Sequence, residues 1–145
     1  GGAATVRGFA MGASGGVQSK GESRLSISEM VTPYCEAIGV GADLLIGSSV
    51  HTVAGSFPAF ILADYRATVS IGAQINVAAG CTYTSAFVDC SGGAAVFADV
   101  SPVGATPTGK RFNVRKGGLI QTPAASPTYL PGTVAGDTES GGVYA

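Results

Sequence analysis

The sequence predicts an all-β domain, a sandwich or a barrel, from three observations. Residues 68–77 alternate apolar and polar side chains without a break, which is the period of a strand with one buried face. Glycine contributes 23 of the 145 residues, more than twice its usual share of about 7%, and it suits turns. Turn residues separate short apolar stretches about every 8–12 residues, and no amphipathic helical pattern exceeds two turns.

Residues 68–77 are the best-defined strand. The apolar side chains at 69, 71, 73, 75 and 77 are predicted to share the core face, and Gly72 is predicted to bend the sheet. The other face carries Thr, Ser, Gln and Asn and no titratable group, so it provides surface rather than chemistry.

Ten further segments are predicted to be strands, because they are short, apolar or alternating, and bounded by turn residues. In chain order they are residues 25–28, 34–40, 43–46, 57–63, 82–88, 94–100, 111–116, 119–122, 129–134 and 142–145.

Residues 1–24 are predicted to be an extended, glycine-rich N-terminal arm that precedes a domain at 25–145. The first 21 residues hold seven glycines and only isolated apolar side chains, so they cannot bury a face of their own. A disordered tail is the alternative. The patch from Val6 to Phe9 favours an arm that docks on a neighbouring molecule.

The charge balance excludes an ordinary nucleic-acid-binding protein, because 8 basic and 9 acidic residues give a net charge of −1. Charged residues make up 12% of the chain, against about 25% in a typical soluble domain. Low charge promotes association, so a subunit of an assembly is favoured over a low-charge secreted domain. No apolar run approaches the ~18 residues of a membrane span, and no signal peptide is expected.

No metal or disulfide framework is predicted. Cys35, Cys81 and Cys90 are few, odd in number and best interpreted as buried free thiols. His51 is the only histidine, and no Cys-x-x-Cys pair accompanies it.

No catalytic or cofactor-binding residue is predicted. His51 lacks a nucleophile elbow, and the close carboxylates Asp137 and Glu139 lie in a glycine-rich segment. The stretch 104–110 spells most of a phosphate-binding loop, but Arg111 stands where that loop needs Ser or Thr, and a strand pattern follows. We therefore expect a protein that is not an enzyme and uses no cofactor.

Half of the basic charge lies within seven residues, at Lys110, Arg111, Arg115 and Lys116. Two interpretations remain open. Charges on an edge strand block unwanted strand pairing, or the cluster meets an acidic patch on a partner.

The last third to half of the chain resembles the small cement, or decoration, proteins of tailed-bacteriophage heads. The stretches that carry the resemblance are Gly93-Ala-Ala-Val-Phe-Ala-Asp-Val, Lys110-Arg-Phe-Asn-Val, Leu130-Pro-Gly-Thr-Val and Gly141-Gly-Val-Tyr-Ala. The resemblance implies a jelly-roll or related β-fold, no enzymatic activity, self-association and binding across neighbouring major capsid subunits. We therefore expect a jelly-roll-like antiparallel β-sandwich.

The resulting hypothesis is a structural virion protein on the outer surface of a capsid, made in the host cytoplasm. Its expected partners are the major capsid protein and itself, as a dimer rather than a trimer, with no nucleic acid or membrane. The alternative is a receptor-binding or tail-associated β-module, which favours exposed aromatic residues at loop tips; the chain has no Trp and five dispersed Tyr. The proposed contact residues are Val6, Arg7, Phe9, Lys110, Arg111, Arg115 and Lys116.

Overall fold

In the computed structural model, which describes residues 2–8, 15–98 and 100–145, the chain winds into a β-solenoid with three sheets. The described residues form the following strands: β1 (Ala3–Arg7), β2 (Val17–Lys20), β3 (Arg24–Ser28), β4 (Met30–Val31), β5 (Cys35–Ile38), β6 (Asp43–Ile46), β7 (Val50–His51), β8 (Gly55–Asp64), β9 (Thr68–Ile71), β10 (Ile75–Val77), β11 (Cys81–Ser91), β12 (Ala94–Phe97), β13 (Val103–Gly104), β14 (Thr108–Gly109), β15 (Phe112–Arg115), β16 (Leu119–Gln121), β17 (Asp137–Thr138) and β18 (Val143–Tyr144).

Each circuit of the chain, called a coil here, adds a strand to each of up to three sheets. Sheet A has the order β1-β3-β6-β9-β12-β16-β18, and sheet B has the order β4-β7-β10-β13. Sheet C has the order β2-β5-β8-β11-β15-β17, with β14 also pairing with β11. All of these strand pairs are parallel.

The predicted antiparallel jelly-roll sandwich is wrong, although the all-β class is right. Alternation and closely spaced turns indicate strands, but they do not say which strand pairs with which. In this fold a strand pairs with the strand one coil away rather than with its neighbour in sequence. Leu44, Val69, Ala95 and Ile120 show this, because each pairs in register with the next.

The core is a set of these in-register stacks, enclosed by the three sheets. Leu44, Val69, Ala95 and Ile120 are completely buried, and so are the inward side chains of sheet C such as Val88. A single coil cannot bury its inward face alone, so stacking of neighbouring coils creates the core.

The predicted strand at 68–77 divides into β9 and β10. Its apolar side chains at 69, 71, 73, 75 and 77 are all buried, which confirms the predicted core face. Gly72 lies in the bend between the two strands, where the chain leaves sheet A and enters sheet B. The alternation gives no sign of this corner, because the same alternate residues face the core before it and after it.

The N-terminal segment contributes strands to the described structure. Ala3–Arg7 pairs with β3, and Val17–Lys20 pairs with β5. Residues 9–14 lie outside the described part of the chain. The strand predicted at 129–134 does not form; this segment contains only an isolated bridge between Val134 and Lys110.

The core beneath sheet C contains an aromatic cluster next to a bulge. Phe60 stacks on Phe87 with ring centroids 5.4 Å apart, and Tyr83 meets Phe87 edge-on at 5.5 Å. The register of β8 against β11 shifts between Tyr83 and Ala86, so that two residues of β11 oppose Pro58. Proline has no backbone N–H, and a bulge accommodates it within a central strand.

The three cysteines are free and buried, as predicted. Burial raises the pKa of the Cys35 thiol from 9.0 to about 12. Burial also raises the pKa of Cys90, with a smaller contribution from neighbouring Asp89. These thiols therefore belong to the core.

Candidate functional site at the corner between sheets C and A

Three corners that lead from sheet C to sheet A are tight turns whose two central residues have positive φ. In each turn a backbone N–H donates to the carbonyl three residues earlier, at 2.9–3.1 Å. Glycine and asparagine tolerate such positions best. Two of the pairs contain a glycine, whereas one contains two large side chains. The pairs are Tyr65 and Arg66 (φ 52° and 63°), Lys116 and Gly117 (54° and 71°), and Ser140 and Gly141 (49° and 74°).

The corner at Gly92 and Gly93 is shorter than the corners on either side of it. Two residues rather than three connect its last position in sheet C to its first position in sheet A. Both residues are glycines, so this corner has no side chains. Its surface is recessed relative to the corners on either side. The stacked positions are Asp64, Ser91 and Arg115 before the corner, and Thr68, Ala94 and Leu119 after it.

The short corner leaves a recess of about 300 Å³ in the surface, called the Gly92 notch here. Tyr65 and Val40 flank it with unusually exposed apolar surface, at 66% and 63% of their full accessible areas. The corners on either side of Gly92, at Tyr65 and at Lys116, lie two coils apart, which is about 9–10 Å at the usual strand spacing. The residues that line the notch are Val40, Tyr65, Arg66, Ser91, Gly92 and Lys116.

Backbone hydrogen bonds hold the notch rigid. The amide N–H groups of Tyr65 and Arg66 donate to the carbonyls of Ser91 and Gly92, at 3.2 and 2.8 Å. The Gly92 N–H donates in turn to the Arg115 carbonyl at 3.0 Å. The side chains around the notch are therefore carried on a fixed backbone.

The charged residues that line the notch are all basic, although Asp64 lies beside it, paired with Ser91 and bridged to Gly92. Arg66 and Lys116 are its charged residues, and its lining contains no acidic residue. The three ion pairs within the described part of the chain involve Arg24, Lys110 and Arg115 instead. Two exposed cations and an exposed aromatic ring are thus held around one recess.

The basic cluster predicted at 110–116 is divided among different environments. Lys110 pairs with Asp137, and Arg115 pairs with Asp89 on the outer face of sheet C. Arg111 lines a separate recess with Tyr129. Lys116 lies at the notch, so the structure does not bring the four side chains to one surface.

Two of the three N-terminal contact residues lie within the described chain. Val6 packs against the core and is only partly exposed, whereas Arg7 is exposed at the end of β1. Phe9 lies outside the described residues. Val6 and Arg7 do not line the notch.

His51 is exposed on sheet B, between Val31 and Asn76 in the strand ladder. Within residues 2–8, 15–98 and 100–145, no group of three His, Cys, Asp or Glu side chains could hold a metal ion. The same residues contain no helix long and apolar enough to cross a membrane.

Sequence reasoning missed Tyr65 and Arg66. Their significance depends on the shorter corner one coil later, which becomes visible only when the coils are aligned with one another. The signal was present: Asp64-Tyr-Arg-Ala precedes one alternating strand, and Ser91-Gly-Gly precedes the next.

Comparisons of this chain with protein-family models, with curated proteins and with solved structures each find no match.

Proposed function

We propose that the chain is a non-catalytic binding module on the surface of a virus particle, and that the Gly92 notch contacts its target. The observation that carries the proposal is the shortened corner at Gly92, flanked by the exposed side chains of Tyr65, Arg66 and Lys116. The setting on a virion comes from the resemblance to phage head proteins. The receptor-binding alternative is now preferred over the cement hypothesis.

Backbone strain supports this preference. Non-glycine residues with positive φ cost free energy, and such conformations cluster at functional sites. Tyr65 and Arg66 adopt positive φ consecutively although their side chains are exposed and contribute little to the core. A requirement for an exposed ring and a cation at this corner accounts for residues that the turn itself disfavours.

The exposed aromatic ring also supports a binding role. Tyrosine offers a large, amphipathic contact area with few rotatable bonds, so it loses little entropy on binding. Tyr65 lies at a turn tip, which is the feature that the receptor-binding alternative requires.

A second candidate function, capsid cementing, is favoured by the outer face of sheet A. Its central outward row runs across six coils without a charge, and such a surface suits contact with a protein neighbour. The row consists of Thr5, Ser26, Leu45, Ser70, Val96 and Gln121. In this case the partners would be the major capsid protein and further copies of the chain.

The test compares intact particles that carry Tyr65→Asn with Arg66→Asn against unaltered particles. Asparagine tolerates positive φ, so the change removes ring and charge while keeping the turn. The matched control is Lys20→Asn with Val134→Asn, which removes an exposed cation and an exposed apolar side chain elsewhere.

We expect the notch variant to attach to host cells about tenfold more slowly, while the control attaches normally. Normal attachment by the notch variant would refute the proposal. Normal attachment combined with loss of the variant protein from heads under salt stress would instead indicate that the notch contacts the capsid.

A further inference from the structure

We infer that the ligand of the Gly92 notch is an acidic saccharide, whose carboxylate or sulfate lies between Arg66 and Lys116 while a sugar ring packs on Tyr65. This inference rests on the proposed function, because it names the ligand of the same site. Its basis is the combination of three groups around one recess rather than any one of them.

The first step is the charge. Arg66 and Lys116 lie on opposite sides of the short corner, and no acidic residue lines the recess between them. Neither cation forms an ion pair within the described part of the chain. An anionic group placed between them interacts with both at once, and guanidinium groups bind carboxylates and sulfates with two parallel hydrogen bonds.

The second step is the apolar surface. Tyr65 and Val40 present exposed apolar area beside the cations, and a small inorganic anion would leave that area in contact with water. A sugar ring has both an apolar face, which packs on an aromatic ring, and hydroxyl groups. The notch cations Arg66 and Lys116 can donate hydrogen bonds to such hydroxyls.

The third step is the shape. The notch is about 300 Å³, close to the lower end of the range for small-molecule sites. The notch is open to solvent and lies in the row of turns that join sheet C to sheet A, so a long polymer can pass across it. These dimensions suit one sugar unit of a chain rather than a folded protein surface.

The experiment measures binding of the purified chain to polygalacturonate, polysialic acid and heparin. Galactan and dextran serve as neutral saccharides, and poly-glutamate serves as a polyanion without sugar rings. We expect at least one acidic saccharide to bind about tenfold more tightly than the neutral saccharides and poly-glutamate. Binding should weaken as salt is added, because the two cations are exposed.

Three variants test the residues. Tyr65→Asn and Lys116→Asn should each weaken binding about tenfold, whereas Tyr65→Phe keeps the ring and should bind as the unaltered chain does. Insertion of Lys between Ser91 and Gly92 copies the Lys116-Gly117-Gly118 corner and restores its length. This insertion should abolish binding by filling the notch, although it adds a positive charge, and circular dichroism should show the fold retained.

Equal binding of poly-glutamate and the acidic saccharides would overturn the inference, as would binding of none of them. Binding that survives all of the notch variants would overturn it as well. Failure of this inference can be distinguished from failure of the proposed function. If particle attachment depends on the notch but no acidic saccharide binds, the proposed function holds and its ligand is of another class.

Discussion

Arg115 and Asp89 form an ion pair between neighbouring coils on the outer face of sheet C, with Nη1 2.9 Å from Oδ1. Asp89 is 4% exposed, and its Oδ2 also accepts a hydrogen bond from Ser85. Oδ1 has the ion pair but accepts no well-aligned hydrogen bond, so its stabilisation depends on the guanidinium charge. A residue expected to contact a partner thus supports the fold.

Replacement of Arg115 should therefore destabilise the chain. Arg115→Ala leaves the Asp89 carboxylate buried without its counter-ion. We expect the free energy of unfolding to fall by about 2–3 kcal/mol, less than for a fully buried pair because Arg115 is partly exposed. Urea unfolding measures this. Arg111→Ala is the control and should change stability by less than about 0.5 kcal/mol; equal effects of the two changes would contradict the prediction.

Gly93 should tolerate no side chain. A Cβ there would lie 2.7 Å from both the carbonyl carbon and the carbonyl oxygen of Ala63. Gly93→Ala should lower the free energy of unfolding by about 1–3 kcal/mol, since neighbouring backbone must move. Gly72→Ala is the matched control, because its nearest contact would be the Ile46 carbonyl oxygen at 3.6 Å. Thermal unfolding of the two variants should differ clearly; similar melting temperatures would show that the coil spacing adjusts freely.

Arg66→Gly should separate stability from binding. Glycine adopts the positive φ of this position without the steric cost that arginine carries. We expect the free energy of unfolding to rise by up to about 1 kcal/mol, while target binding falls because a notch cation is lost. Chemical denaturation and the attachment assay provide the two measurements. A less stable variant would mean that the Arg66 side chain stabilises the corner.

Stability should fall at alkaline pH because of the buried thiols. The pKa of Cys35 is raised from 9.0 to about 12, so the unfolded chain loses this proton at a lower pH than the native chain does. The contribution of the thiol is fully present below pH 9.0 and is lost as pH rises towards about 12. Each such thiol adds up to about 1.4 kcal/mol per pH unit to the slope.

Urea unfolding across this pH range should show a shallower loss of stability in Cys35→Ala than in the unaltered chain. The variant will be less stable at neutral pH because it leaves a small cavity, so the slope is the quantity to compare. Identical slopes would show that Cys35 does not titrate differently in the two states.

The positions of most strands could be predicted from sequence, because burial imposes the same alternation in any β-fold. The pairing of the strands could not, since a two-residue turn with positive φ usually joins an antiparallel hairpin. Here the turn at Tyr65 and Arg66 joins strands of two different sheets. The resemblance to cement proteins reinforced the wrong topology.

An internal repeat was the missing signal. A small residue precedes the sheet A strand in successive coils, at intervals of 24–26 residues. A search for this period before assigning strand partners would have indicated a solenoid. The notch arises where one corner is a residue shorter than the corners on either side. It can therefore be recognised only after the coils have been aligned by this repeat. The repeated positions are Ala42, Ala67, Gly93, Gly118 and Gly142.

The parallel pairing between coils makes the mechanical response of the chain directional. The backbone hydrogen bonds of a solenoid lie along its long axis, so tension along that axis loads them a few at a time. Tension across the axis would load many of them in shear. Axial pulling should therefore peel the chain coil by coil, and each coil of about 25 residues would release about 80–90 Å of extended chain. In the proposed binding role, the chain would act as a tether that yields in steps.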